Sequence, residues 1–152
     1  MSSAPAPMQV KQLDHLNLTV ENFDATVAWY RRVFGFEVVE RGAYDGQPWG
    51  VIRGGEAMLC IYQNPGAHVP GERDADTHHL HLVYHFGLRI TDRAAWEATI
   101  RRENVAISMQ YRYPHSQSWY VLDPSGYEIE VACWDNDTLH FPPLKPSLAT
   151  AQ

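Results

Sequence analysis

The stretch His15-Leu16-Asn17-Leu18-Thr19-Val20 returns further along the chain as His85-Phe86-Gly87-Leu88-Arg89-Ile90. In both copies apolar residues alternate with polar residues or glycine, the period of a strand with one face in a core and the other turned away from it. Leu16, Leu18 and Val20 oppose His15, Asn17 and Thr19, and Phe86, Leu88 and Ile90 oppose His85, Gly87 and Arg89. A strand that recurs at about half the chain length predicts that a whole module recurs with it.

Working outward, the first strand is expected over Leu13 to Val20. Phe23, Val27, Tyr30 and Phe34 then stand at helical spacing, with acidic residues between Glu21 and Asp24 as a start and Gly35 as a stop. Extended segments follow at Glu37 to Arg41, Trp49 to Arg53 and Met58 to Gln63, separated by Asp45-Gly46 and Gly54-Gly55 and closed by Pro65-Gly66. A polar stretch, Asn64 to Thr77, reads as a linker. After His85 to Ile90 the order repeats. A helix over Thr91 to Glu103, capped by Thr91 or Asp92, carries Ala95, Trp96, Thr99 and Ile100 on one face. Strands follow near Ala106 to Tyr113, Ser118 to Leu122 and Tyr127 to Trp134, the last two joined by Asp123-Pro124-Ser125-Gly126. The expected fold is α+β, two paired βαβββ modules. Residues 1–152 form one domain, with module 1 at about 10–65, a linker at 66–80, module 2 at about 81–135 and a C-terminal arm at 136–152.

The 152 residues are 45% hydrophobic and 20% charged, the balance of a chain that folds on its own core. A net charge of −6 without a Lys/Arg cluster argues against a phosphate-backbone binder, so nucleic acid is not an expected partner. Cys60 and Cys133 form no C-x-x-C pair, which fits a reducing cytoplasm. Met1 to Pro7 lacks a basic and apolar leader pattern, and no later apolar run approaches membrane-spanning length, so a soluble cytoplasmic protein is expected.

In the last strand Glu128, Glu130 and Ala132 share one face while Ile129 and Val131 share the other. Parity thus turns Glu130 to the same polar side as the two repeat histidines. Two imidazoles and a carboxylate make a face that holds a divalent ion and leaves coordination positions open. His81 has the parity of His85 and is its rival; the repeat favours His85. Arg89, on the same face, is placed either to receive an acidic substrate group or, preferentially, to pair with Glu128. Trp49, Tyr62, Trp119 and Trp134 are candidate walls for a flat molecule.

Four segments resemble the vicinal oxygen chelate superfamily, which includes glyoxalases, bleomycin resistance proteins and extradiol dioxygenases. They are Asp14 to Val20, Trp29 to Phe36, His85 to Ile90 and Tyr120-Val-Leu-Asp-Pro-Ser-Gly-Tyr-Glu-Ile-Glu130, in family order across nearly the whole chain. The resemblance implies that the two modules form a cupped mixed sheet around a metal held by His15, His85 and Glu130, in a homodimer acting on a small-molecule substrate. In glyoxalases a fourth ligand comes late in the first module, where this chain has Cys60; fosfomycin-type transferases use cations where this chain has the apolar and acidic run after Glu130. The closing segment is more similar to extradiol dioxygenases, which implies a substrate-positioning role for Tyr120, an acid/base role for His115 and Fe2+ as the favoured ion, with Mn2+, Ni2+ or Zn2+ as alternatives. Asn17, Arg89, Trp119 and Glu128 are the candidate substrate contacts. A glyoxalase-like isomerase or lyase and a non-catalytic antibiotic-binding protein are the alternative functions.

Overall fold

The computed structural model describes residues 8–70, 77–79 and 83–143. The chain divides into two units, and each repeats one plan. In unit 1, β1 (Leu16–Val20), α1 (Phe23–Phe34), β2 (Glu37–Tyr44), β3 (Gln47–Gly54) and β4 (Ala57–Gln63) give a sheet of order β1-β4-β3-β2. In unit 2, β5 (His85–Ile90), α2 (Arg93–Glu103), β6 (Ile107–Arg112), β7 (Ser116–Leu122) and β8 (Glu128–Trp134) give β5-β8-β7-β6. The outer strands β1 and β5 run parallel to β4 and β8, and every other pair is antiparallel. The two βαβββ modules expected from the repeat are therefore present. Even the irregularities recur: the ladder slips between Val38 and Glu40 in β2 and between Ile107 and Met109 in β6.

Local chemistry explains the boundaries. The Asn22 side chain accepts the Ala25 N–H to start α1, and Asp92 does the same for Ala95 in α2. Gly35 and Asn104 end the helices in the left-handed conformation. Asp45 and Gly46 both have positive φ, the requirement of a two-residue hairpin turn, so β2 and β3 stay paired out to Tyr44 and Gln47, beyond the segments expected from sequence. β1 begins at Leu16 rather than Leu13. The buried face of α1 is Phe23, Thr26, Tyr30 and Val33, so the expected stripe is rotated by one residue at Val27 and Phe34, which are only half-buried. In α2 Trp96 is buried whereas Ala95 is exposed.

Each core lies between a helix and one sheet face. Leu18, Val20, Ile52, Leu59 and Ile61 are buried in unit 1, and Trp119, Val121, Ile129 and Val131 in unit 2. Gly50 lies where α1 approaches the sheet: a Cβ there would meet the Glu40 carbonyl oxygen at 2.6 Å and the Phe23 ring at 2.9 Å. At Gly87 it would meet only the Glu130 carbonyl oxygen, at 3.9 Å. Gly50→Ala is therefore expected to lower the unfolding free energy by about 1–3 kcal/mol through overpacking. Gly87→Ala should leave it within about 0.5 kcal/mol, the usual range for substitutions that disturb no packing; urea midpoints measured on both variants check the pair.

Candidate functional site

The polar face of the unit 2 sheet is built by strand parity. The parallel register sets His85 opposite Glu128 and Gly87 opposite Glu130, so His85 and Glu130 are diagonal neighbours on one face. His85 Nε2 stands 3.2 Å from Glu130 Oε2, with the two side chains 37% and 22% exposed. Across the sheet Tyr120 is the register partner of Glu130. Its ring meets the His85 imidazole edge-on at 5.3 Å between centroids, and its hydroxyl hydrogen-bonds that of Tyr113 at 2.9 Å. Ser118 donates its hydroxyl to Glu130 Oε1 at 2.7 Å, and Ser108 donates to Glu128 Oε2 at 2.9 Å. Glu128 also lies 4.0 Å from His85 Nδ1. Nothing in the sequence marks Tyr113 or Ser108, whereas the alternation of Ser116, Ser118 and Tyr120 places Ser118 on the face of Tyr120, the partner of Glu130.

Other candidates lie elsewhere. Arg89 does not pair with Glu128: its guanidinium donates to the Asp137 carboxylate and carbonyl, both at 2.5 Å, because the turn after β8 brings Asp137 back to the end of β5. Trp119 is not on the polar face. As the immediate neighbour of Tyr120 it points the other way, 1% exposed, against Trp96 of α2 and beneath the Arg93 guanidinium. His115 sits at the far end of β7, bonded to the Ser116 hydroxyl and stacked between Trp134 and Tyr113. From Glu130 to Trp134 is roughly 13 Å of strand at about 3.3 Å per residue, so the structure does not bring His115 beside Glu130. His115 instead lines a cleft of about 360 Å³ with Pro114, Asp135, Asn136, Thr138 and His140.

In unit 1 His15 immediately precedes β1, half exposed, with Nδ1 2.8 Å from the Asp14 carboxylate. Asn17 is exposed on β1 opposite Cys60, as Gly87 is opposite Glu130 in unit 2, which makes Cys60 the counterpart of Glu130. Both cysteines are free thiols. Trp49 and Tyr62 stack on the same sheet at 5.9 Å. His78 and His79 are exposed, and His81 lies outside the described residues. Among the described residues no three His, Cys, Asp or Glu side chains form a group able to hold an ion; unit 2 brings together two of the candidate ligands, His85 and Glu130.

Tyr120 is the strongly perturbed group of this face. Burial, then the hydrogen bond with Tyr113 and the charge of Glu130, push its phenol far above the ordinary tyrosine range. A proton held more tightly in the folded state stabilises that state fully below the unfolded phenol value, about 10, and the benefit is lost as pH rises from there through the folded value. Metal-free protein should thus lose stability above about pH 10, and Tyr120→Phe should lose less over the same interval; urea midpoints at a series of alkaline pH values measure the difference.

Comparison with known proteins agrees with this architecture. Solved structures with the same fold include a glyoxylase/bleomycin resistance protein/dioxygenase domain from Frankia sp. EAN1pec, with 14% identity, a TM-score of 0.69 and coverage of 84% of this chain and 100% of that one. The fosfomycin resistance protein FosX from Listeria monocytogenes is 14% identical with a TM-score of 0.64, over 84% of this chain and 95% of that one in a form complexed with Mn(II) and a dihydroxypropylphosphonic acid. A lactoylglutathione lyase from Agrobacterium tumefaciens is 24% identical with a TM-score of 0.59, over 82% and 95%. The family model for the Glyoxalase/Bleomycin resistance protein/Dioxygenase superfamily matches residues 12–131, and with both βαβββ modules in place the chain belongs to that superfamily.

Proposed function

We propose that this protein is a divalent-metal-dependent enzyme and, within its superfamily, a ferrous extradiol-type dioxygenase acting on a small aromatic or vicinal-oxygen substrate. The observation that carries the reading is the meeting of His85, Glu130 and Tyr120 on one sheet face, an imidazole and a carboxylate oxygen 3.2 Å apart with a phenol against them. Imidazole and carboxylate are donors suited to divalent first-row ions, so His85 and Glu130 fit as two members of such a ligand set. In this proposal His85 and Glu130 hold the ion, and His15 joins them on the strength of the repeat. When bound, the ion supplies Lewis acidity and, as iron, redox capacity.

The chain's own part is binding and proton placement. Tyr120, kept protonated by burial, donates its hydroxyl to a substrate oxygen as negative charge builds there. Tyr113 restricts the direction in which that hydroxyl points. A phosphonate substrate is disfavoured, because Arg89, the cation on the polar side of β5, is engaged by Asp137. The homodimer implied by the family resemblance is part of the same proposal, to be checked by sedimentation.

Each of His15→Ala, His85→Ala and Glu130→Ala is expected to remove most of the bound metal from a folded protein, as elemental analysis would report. Anaerobic loading with Fe2+, addition of a catechol panel and admission of oxygen should give ring-opened product, which Tyr120→Phe slows by about 10²–10³-fold with metal content unchanged. Isomerisation of a hemithioacetal with no catechol-dependent oxygen uptake would replace the dioxygenase reading with the isomerase one. A folded parent protein that retains no metal would leave a small-molecule binder.

A further inference from the structure

The two oxygens of Glu130 are held differently. Oε2 faces His85 Nε2 at 3.2 Å, whereas Oε1 accepts the Ser118 hydroxyl at 2.7 Å. Ser118 is 0% exposed and sits two residues along β7 from Tyr120, the rung partner of Glu130, opposite Ala132. A serine hydroxyl carries one proton to donate, and a bond to an ionised oxygen is short and strong for its kind. A carboxylate free to rotate can engage an ion through one oxygen or through both, and the second mode occupies a further coordination position. Oε1 is thus held by a buried hydroxyl, and Oε2 is the oxygen that meets His85.

We propose that Ser118 is a positioning residue that makes Glu130 a one-oxygen ligand and so keeps a coordination position open for substrate. The proposal rests on the metal reading above and adds a residue that acts through Glu130 rather than on the substrate. Ser108 provides the matched control, because it makes the same type of bond to Glu128, which is not a proposed ligand, and also reaches the Tyr120 carbonyl oxygen.

The test titrates metal-free protein with Co(II) and records affinity, the visible absorption spectrum and the urea midpoint for the parent, Ser118→Ala, Ser118→Thr and Ser108→Ala. Ser118→Ala is expected to bind Co(II) about 10–100-fold more weakly, with an altered spectrum, as outer-shell partners of metal ligands usually require. Ser118→Thr, which restores the hydroxyl, and Ser108→Ala should both keep the parent spectrum. If Ser118→Ala retains the parent's affinity and spectrum while only its urea midpoint falls, Ser118 is structural and the proposal is overturned with the metal reading intact. A folded parent that binds no Co(II) overturns the metal reading and this role together. Should Ser118→Ala not fold, Ser118→Cys, a weaker donor of similar size, takes its place with the same expectations.

Discussion

The parallel pairing of the first and last strands within each module is the constraint on which the rest depends. In unit 2 that pairing sets Gly87 against Glu130 and His85 against Glu128, and the register is held by Ile129 and Val131, both fully buried on the helix side. A slip of one residue would carry Glu130 into that apolar layer, where an unpaired carboxylate costs several kcal/mol. The core therefore enforces the register, and the polar face inherits its geometry from packing on the other side of the sheet.

That inheritance has an electrostatic side. Around Glu130 the charged and hydroxyl side chains of the polar face are matched to neighbours: Glu130 to Ser118 and His85, Glu128 to Ser108, Tyr120 to Tyr113. At the other end of the sheet the short turn Asp135–Asp137 is tied by Arg112 to Asp135 and by Arg89 to Asp137, and Arg112 holds the Asp135 carboxyl below its ordinary range. These arginines anchor two successive left-handed residues, Asn136 and Asp137, a backbone arrangement that non-glycine residues adopt rarely. The cations are thus used to shape the turn, and the polar face near Glu130 is left to hydroxyls, an imidazole and carboxylates.

Periodicity made most of the fold legible, because alternation and helical spacing report burial directly. α1 spans the residues expected from its spacing, and β5 matches its predicted limits. The α1 face came out one residue away, since Val27 and Thr26 both fall within the width of one buried stripe and only the sheet beneath selects between them. Parity also aligned His85 with Glu130, but it was not applied to Trp119, whose place beside Tyr120 puts it on the opposite face. The partner of Arg89 is hidden for a different reason. It comes from a turn after another strand, and nothing in local spacing reports where such a turn folds back. Ser118 and Tyr113 are hard to pick out because hydroxyl residues are common, and only the folded sheet shows that Ser118 meets Glu130 and that Tyr113, just beyond β6, meets the Tyr120 hydroxyl.

The equal registers of the two sheets bear on the history of the chain. A molecule assembled from two copies of one plan must keep the ladder in both, since the ladder builds each sheet. A side chain on the polar face is under no such obligation, since the ladder does not depend on it. Cys60, standing on the rung where the other half has Glu130, is a position at which the two halves differ. Duplication followed by divergence would leave this record: an ancestral symmetry preserved in hydrogen bonds and relaxed in the functional groups they display.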